Sequence, residues 1–479
     1  MTSRRRTGRT NLTMRAARAR AAGDSLEVAS PTGPLHRLVD DFGIKTVLLA
    51  AIDVQGRLKG KEYDAAGLVE RLRSGRLSPE MCGYVIGTDL GMTAPATGSF
   101  SWSSGFGDIG LLPDTQRARV LPWLPSTAVV LAEPVGKGWP HPFAPATVLA
   151  EQQHRLAGLG LTAMVGVETE FVLYDGAARD TVVAGWRGLR PVTWDNRDYA
   201  LDLPVPAREF SRRLREFLAG AGLPVEAVKG EGAHGQLEVT FPYGPVTAAC
   251  EQHVLFKHAA KTTADEQGMV ASFMAAPSTG VGSGLHMHVS LHDVDGRPVL
   301  AADSEDGSML SELGEQAVAG LLSVLPQTGP LWAPYVNSYK RFADHSFAPA
   351  RLTWGRDNRS CAVRVVGHGR SLRLEVRLPG ADANPYLALA AVLAGIRHGI
   401  EASLKPPPVT SGDAYLNRQA ELVPRSLAEA VAAFDASTLA SELLDEQVVA
   451  HLTGVAHLDL DHHAARVTDA ELERGLTQA

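Results

Sequence analysis

The chain has 479 residues, of which 45% are hydrophobic and 21% are charged, and its formal net charge is −7. This length and composition predict a globular protein with a large core and more than one domain, and the negative charge excludes a general nucleic-acid binder. The wide spacing of Cys82, Cys250 and Cys361 fits neither a disulfide framework nor a zinc site and indicates a reducing, cytoplasmic location, and no apolar run is long enough to span a membrane.

The first 33 residues differ from the rest in charge. They contain seven arginines, no lysine and two acids, Asp24 and Glu27, so their balance is seven minus two, or +5. We predict a disordered Arg-rich tail over residues 1–33; a segment that binds RNA or an acidic surface is the alternative. The tail lacks the apolar stretch of a secretory signal.

Residues 34–139 are predicted to form a small β-rich domain. An apolar strand over Thr46–Ile52 ends at the turn signal Asp53-Val54-Gln55-Gly56, after which Arg57 begins a partner strand. A helical pattern, a long loop rich in glycine, serine and aromatic residues, and another apolar strand follow over residues 65–72, 100–110 and 128–132. The proline-rich residues 140–145 form a linker, so the second domain is placed at 140–479.

Helices and strands alternate in the second domain. The apolar spacing predicts amphipathic helices over residues 144–159, 208–221 and 247–268 and a buried core helix over residues 386–396. A strand over residues 223–228 is expected to lead into a flexible, glycine-rich loop over residues 230–235.

Four stretches of the second domain alternate apolar and polar side chains, as strands with two different faces do. They are residues 165–174, 236–241, 285–289 and 372–378. Because every second side chain of a strand points the same way, Glu168 and Glu170 share a face, as do His286 and His288. Any one of these strands fits an ordinary half-buried strand with its polar face in water. Together, they predict one sheet with an apolar back and a charged, functional front.

These polar faces and the glycine-rich loop supply ligands for metal ions. The ligand set consists of Glu168, Glu170, Glu231, Glu238, His286 and Glu375. Hard divalent cations prefer oxygen ligands and accept an occasional histidine, so the set predicts two Mg²⁺ or Mn²⁺ ions rather than zinc. Two such ions close together can bridge phosphate oxygens in phosphoryl transfer.

A second set of candidate residues is cationic. It consists of Arg341, Arg359, Arg364, Arg373 and Arg377. Guanidinium groups bind carboxylates and phosphates through two parallel hydrogen bonds, so this set and the metal ligands predict a site for ATP and an acidic substrate. A surface salt bridge is the alternative for any single arginine. The chain has neither a GxxxxGK[ST] loop nor a GxGxxG motif after a strand.

With these residues assembled, the chain resembles the glutamine synthetase family from about residue 43 to 460. The motifs that carry the resemblance are Glu168-Thr169-Glu170, Gly235-Gln236-Leu237-Glu238, Gly282-Ser283-Gly284-Leu285-His286-Met287-His288, Asn337-Ser338-Tyr339-Lys340-Arg341, Arg356-Asp357-Asn358-Arg359-Ser360 and Arg373-Leu374-Glu375-Val376-Arg377. The resemblance implies an α+β fold, with an N-terminal β-grasp domain and a C-terminal catalytic domain whose curved antiparallel sheet is backed by helices. It also implies rings of subunits, stacked as a homododecamer, with each active site between two subunits.

The resemblance also implies a role for each candidate residue. Glu170, Glu231 and Glu238 would hold one metal ion, and Glu168, His286 and Glu375 would hold the ion nearer the nucleotide phosphates. Glu226, Ser283, His288, Arg364 and Arg373 would contact ATP, and Arg377 would contact the transferred phosphoryl group. Arg341, Arg359 and Gly282 would bind glutamate. Asp89 would reach the neighbouring subunit's site and help to deprotonate the nitrogen nucleophile.

A departure from the family pattern bears on the substrate. Glutamine synthetases carry a Pro-Gly-Tyr-Glu-Ala-Pro flap after the Asn-Ser-Tyr-Lys-Arg motif, and its glutamate helps to bind and deprotonate ammonium. Here Phe347 stands at the glutamate position. Phenylalanine cannot accept a proton, but it offers a ring face or an apolar wall to a larger amine.

We therefore predict an ATP-dependent ligase that joins the γ-carboxylate of glutamate to a polyamine, ethanolamine or a similar amine. The resemblance implies that ATP first phosphorylates the carboxylate and that a neutral amine then attacks the acyl phosphate. The alternatives are a true glutamine synthetase that uses ammonium and a non-catalytic relative with a regulatory or structural role.

Overall fold

The computed structural model describes residues 33–75, 79–96, 98, 100–136, 139–303 and 307–478. The predicted disordered tail therefore lies outside the described residues, except for Gly33. In chain order, the strands are β1 (Thr46–Ile52), β2 (Leu58–Asp64), β3 (Glu80–Cys82), β4 (Asp108–Pro113), β5 (Arg119–Val120), β6 (Thr127–Gly136), β7 (Trp139–Pro140), β8 (Thr162–Asp175), β9 (Arg190–Pro191), β10 (Ala227–Gly230), β11 (Gln236–Thr240), β12 (Gly244–Pro245), β13 (Met269–Ser272), β14 (Leu285–His292), β15 (Trp354–Arg356), β16 (Val363–Val366) and β17 (Arg373–Val376).

The α-helices of the described residues lie mostly between or after these strands. They are α1 (Gly33–Phe42), α2 (Ala65–Arg73), α3 (Pro145–Gly158), α4 (Ala178–Val183), α5 (Val205–Gly220), α6 (Val246–Glu266), α7 (Glu312–Val324), α8 (Gly329–Trp332), α9 (Pro385–Glu401), α10 (Leu427–Asp435), α11 (Thr438–Leu444), α12 (Glu446–Ala464) and α13 (Asp469–Gly475). None of the described helices is both long and apolar enough to cross a membrane.

The first sheet has the strand order β2-β1-β6-β4-β3, with β5 and β7 also paired to β6. The β1–β2 hairpin closes where the sequence predicts a turn, because Asp53 Oδ1 accepts hydrogen bonds from the backbone N–H groups of Gln55 and Arg57. Gly56 has φ +73°, a conformation that glycine adopts without steric cost. β1 runs parallel to β6 and buries its apolar residues against α2 and the core.

The second sheet has the order β10-β11-β8-β14-β17-β16-β15, with β9, β12 and β13 also paired to β8. All pairs are antiparallel apart from β15–β16. The four stretches with alternating polarity form β8, β11, β14 and β17, as predicted. The mixture of these sheets with packed helices confirms the α+β fold class.

Helices cover the apolar back of the second sheet. α9 is buried along nearly its whole length, as predicted for a core helix, and it packs closely on α7. Glycine makes this approach possible: a Cβ added to Gly399 would collide with the carbonyl oxygen of Gln316. One continuous apolar core includes residues of the first sheet and of α9, so the two sheets share their packing.

Some predicted elements differ from the structure. The strand predicted over residues 223–228 was wrong in its start. The observed strand covers residues 227–230, because Pro224 and the turn after α5 precede it. The loop predicted over 100–110 contains a short 3₁₀ helix, Trp102–Ser104, and the beginning of β4. α1 was not predicted.

Candidate functional site

Strand pairing places the charged side chains of the second sheet in neighbouring cross-strand rows on one face. Lys229 lies opposite Glu238, and Glu238 lies opposite Glu170. Further along the sheet, His286 lies opposite Glu168, and His288 lies opposite Glu375, which pairs in turn with Arg364. Because directly paired residues point to the same side of a sheet, the register itself gathers these groups on the front.

The front of the sheet forms a first cavity of about 950 Å³. All six predicted metal ligands line it, namely Glu168, Glu170, Glu231, Glu238, His286 and Glu375. The structure thus brings together carboxylates that the sequence distributes over more than 200 residues.

The donor atoms in this cavity fit divalent cations. Glu170, Glu231 and Glu238 each offer an oxygen within 4.8 Å of the others. Two further groups of donor atoms are equally close, namely Glu168, Glu238 and His286, and Glu168, His288 and Glu375. His286 Nδ1 lies 3.8 Å from an oxygen of Glu168 and 3.8 Å from one of Glu375, which is too long for hydrogen bonds. His286 Nε2 is buried without a hydrogen-bond partner among the described residues. These groups surround a position that a cation would satisfy.

The electrostatics of the carboxylates agree with this arrangement. Burial and the neighbouring charge of Glu168 raise the pKa of Glu238 to about 8. Burial would also raise the pKa of Glu375, but Arg377 and His286 outweigh it and lower that pKa to about 2. The raised pKa of Glu238 indicates that too little positive charge lies beside this carboxylate to stabilise its ionised form. A bound metal ion would provide that charge.

Three of the predicted arginines line the first cavity: Arg359, Arg364 and Arg377. Arg364 donates a 2.8 Å hydrogen bond to Glu375, and Arg377 contacts the other oxygen of the same carboxylate. Arg359 is exposed. The cavity therefore combines metal-binding oxygens with guanidinium groups, as a site for phosphate and carboxylate groups requires.

A second cavity of about 480 Å³ lies beside the first one. Three residues predicted to contact the nucleotide line it, namely Glu226, His288 and Arg373. Arg373 Nε donates to His288 Nδ1 over 3.2 Å, and His288 Nε2 lies 3.0 Å from Glu168. Glu168 lines both cavities, so its carboxylate lies where they adjoin.

Three predicted site residues line neither cavity, namely Ser283, Arg341 and Asp89. Ser283 is fully buried, and its Oγ accepts a hydrogen bond from Gln236, so its contact with the nucleotide stays a prediction. Arg341 is buried behind Gly282, which does line the first cavity, and its guanidinium donates to the carbonyl oxygens of Arg377 and Leu378. Burial lowers the pKa of Arg341 to about 10.

Asp89 lies near the first sheet, in the turn after Gly87. Its Oδ1 accepts a 2.7 Å hydrogen bond from the backbone N–H of Thr93, and it lines neither cavity of its own chain. Phe347, in contrast, lines the first cavity; its side chain is 71% exposed and its φ is +60°. A positive φ at a phenylalanine is strained and holds the ring in an unusual direction.

Several residues of the first cavity were not predicted from the sequence. Lys229, on β10, ends the row that it forms with Glu238 and Glu170, and its alternation with Val228 was a usable signal. Trp186, Asp198 and Tyr199 come from the irregular segment between α4 and α5, where no periodicity marks the residues that face a cavity.

A family model described as glutamine synthetase, catalytic domain, matches residues 143–475. The chain is 41% identical over 458 residues to gamma-glutamylethanolamide synthetase GlnA4 of Streptomyces coelicolor, a match that covers 94% of this chain and 98% of that protein. It is 31% identical over 445 residues to the glutamate–isopropylamine ligase of a Pseudomonas species, covering 91% and 96% of the two chains.

A solved structure of a GmaS/ADP complex has the same fold. It superimposes on this chain with a TM-score of 0.80 at 26% sequence identity, and the match covers 93% of this chain and 99% of that one.

Proposed function

This chain belongs to the glutamine synthetase family, and we propose that it is an ATP-dependent ligase that joins the γ-carboxylate of L-glutamate to a small amine. The reaction forms one C–N bond and converts ATP to ADP and phosphate. Ethanolamine is the first acceptor to test, since the relative from Streptomyces coelicolor that acts as a gamma-glutamylethanolamide synthetase is similar over nearly the whole chain.

The position of Phe347 is the observation that favours an amine over ammonium as the acceptor. Its exposed ring lines the same cavity as the six predicted metal ligands. An apolar ring supplies neither a negative charge to attract ammonium nor a base to deprotonate it, whereas it can contact the carbon chain of a larger amine. The volume of about 950 Å³ accommodates glutamate and such an amine together.

The two adjoining cavities suggest how the substrates meet. The nucleotide occupies the second cavity, near Glu226, His288 and Arg373, and glutamate occupies the first. The γ-phosphate then approaches the γ-carboxylate at Glu168, which borders both cavities. An oxygen of the substrate's γ-carboxylate attacks the γ-phosphorus of ATP, and ADP departs.

The chain's own cations stabilise the charge that develops in both steps. Arg364 and Arg377 face the cavity next to Glu375, where phosphate oxygens would lie. The neutral amine then attacks the acyl carbon of γ-glutamyl phosphate, phosphate leaves with the electrons of the C–O bond, and the nitrogen loses a proton. Glu170, Glu231 and Glu238 would hold one Mg²⁺ or Mn²⁺ ion, and Glu168, His286 and Glu375 would hold the other. These ions would screen the charge of the phosphate oxygens.

We place a β-grasp domain at 34–139 and the catalytic domain at 140–479. Because Asp89 lies away from the cavities of its own chain, its proposed role in deprotonating the amine requires a neighbouring subunit, as a ring or a homododecamer would provide. Arg341 and Arg359 are proposed to bind glutamate, Arg341 after turning from its backbone partners.

The test is phosphate release by the purified protein with ATP, Mg²⁺ and glutamate, and with either ammonium or an amine panel that includes ethanolamine, isopropylamine and putrescine. We expect one amine to give a higher kcat/KM than ammonium and to yield a product with the mass of its γ-glutamyl amide. Reactions without an amine, and with aspartate in place of glutamate, are the controls. A preference for ammonium would identify a glutamine synthetase. If none of the acceptors supported phosphate release, the proposal would be contradicted.

A further inference from the structure

Lys229 lies among the acids that form one of the candidate metal groups. Its position follows from strand register, since it pairs directly with Glu238, which pairs with Glu170. Its Nζ contacts an oxygen of Glu231 and lies 3.7 Å from Glu238 Oε1. The chain therefore places a cation of its own against two of the three carboxylates of the group Glu170, Glu231 and Glu238.

A second location for the same ammonium group lies at the cavity wall. Lys229 Nζ is 3.6 Å from Asp198 Oδ1 and 4.5 Å from the centre of the Tyr199 ring. A carboxylate and an aromatic face together stabilise an ammonium group. Both residues line the first cavity and are largely exposed, so a rotation of the lysine side chain is enough to transfer its charge from Glu231 to this pair.

We propose that Lys229 is a tethered counter-ion that competes with the divalent ion for the group Glu170, Glu231 and Glu238. When that ion binds, Lys229 leaves Glu231 for Asp198 and Tyr199. The competition lowers the affinity of this group for the ion, whereas the group Glu168, His288 and Glu375 contains no residue that Lys229 contacts among the described residues. Filling the site at Glu170, Glu231 and Glu238 also changes the wall of the first cavity, where Asp198 and Tyr199 lie.

The physical reason is electrostatic. A divalent ion and an ammonium group a few ångströms apart repel each other strongly at any effective dielectric constant of a protein interior. The carboxylates of Glu231 and Glu238 cannot be shared fully by both. Loss of the lysine charge therefore frees these oxygens for the metal and removes the repulsion.

Mn²⁺ binding to the metal-free full-length protein tests this without any turnover. Free Mn²⁺ is followed by electron paramagnetic resonance in wild type, Lys229→Met and Lys229→Arg. We expect Lys229→Met to tighten one class of Mn²⁺ sites by about tenfold or more, and Lys229→Arg, which keeps the charge, to remain close to wild type. Lys45→Met, at an exposed lysine before β1, controls for the change in net charge. Equal or weaker Mn²⁺ binding in Lys229→Met overturns the proposal.

A second measurement uses the wild-type protein alone, in case Lys229→Met does not fold. Lysine acetylation by a brief pulse of acetic anhydride is quantified by peptide mass spectrometry with and without Mn²⁺. Displacement by the metal exposes Lys229, so its labelling is expected to rise several-fold with Mn²⁺, while that of Lys45 stays constant. Unchanged or reduced labelling of Lys229 contradicts the proposal. Neither experiment depends on the identity of the amine, so the proposed reaction and this inference can fail separately.

Discussion

The buried histidines His141 and His451 predict how this protein loses stability in acid. The ring of His451 stacks on Phe143 with centroids 3.7 Å apart, and His141 packs edge-on against the same phenylalanine at 4.2 Å. One ring nitrogen of each histidine is buried without a hydrogen-bond partner among the described residues. Burial lowers the pKa of both rings from 6.5 to about 4, and for His451 the charge of His141 adds to this effect.

The sign of the effect follows from proton linkage. As the pH falls below 6.5, the unfolded chain binds protons on these rings, whereas the folded chain resists them until about pH 4. The free energy of unfolding therefore decreases through this window. At about pH 5 the difference in pKa corresponds to a loss of about 2 kcal/mol for each ring. His451→Phe removes one titrating ring and keeps the aromatic stack, so it should remove about that much of the acid-induced loss.

The assay compares melting temperatures at about pH 7 and about pH 5, so that any pH-independent cost of the substitution cancels. We expect the acid-induced drop to be smaller by about 2–4 °C in His451→Phe than in wild type. His451→Gln, which also cannot titrate in this range, should reduce the drop in the same direction. His462→Phe, at an exposed histidine of the same helix, is the matched control and should leave it unchanged. An equal drop in wild type and His451→Phe would show that the titration of His451 does not contribute to the loss of stability in acid.

Three further predictions concern the site and the core. Glu168→Ala should reduce phosphate release by at least about a thousandfold at an unchanged melting temperature, because its carboxylate borders both cavities; near-normal turnover would remove it from the metal site. Phe347→Glu should raise the kcat/KM for ammonium relative to ethanolamine by about tenfold or more, and an unchanged ratio would exclude Phe347 from acceptor selection. Gly399→Ala should destabilise the fold by about 2–3 kcal/mol, since the new methyl group meets the backbone of α7; a melting curve identical to that of wild type would show that the helices have room.

The sequence predicted those parts of the fold that depend on local alternation. β1 was predicted residue for residue, and the four stretches with polar faces all became neighbouring or connected strands of one sheet. Alternation is sufficient here because each strand buries one face against helices and turns the other towards a cavity. The predicted metal ligands therefore meet in one place even though Glu168 and Glu375 are far apart in sequence.

Other features depend on long-range geometry, which no local pattern contains. The direction of the Arg341 side chain is set by the carbonyl oxygens of Arg377 and Leu378, which lie on another segment. Ser283 belongs to one of the family motifs, but its side chain is covered by Gln236 and by the surrounding backbone. Asp198 and Tyr199 reach the first cavity from an irregular segment whose path depends on long-range contacts, such as those with Lys229 on β10 and the pairing of β9 with β8.

The order of the two cavities follows from a single strand. Every second residue of β8 faces the front, and along that face Met164 and Gly166 line the second cavity, Glu168 lines both, and Glu170 lines the first. Consecutive front-face residues are about 7 Å apart along a strand, so the distance from the second cavity to the first is built into β8 itself. Gly166 leaves space beside Glu168, because a side chain there would project into the second cavity next to Tyr243 and His288. A shift of β8 by one residue would turn Glu168 and Glu170 into the apolar core and expose Val167 and Thr169, which is why the register of this strand constrains the chemistry more than any single loop does.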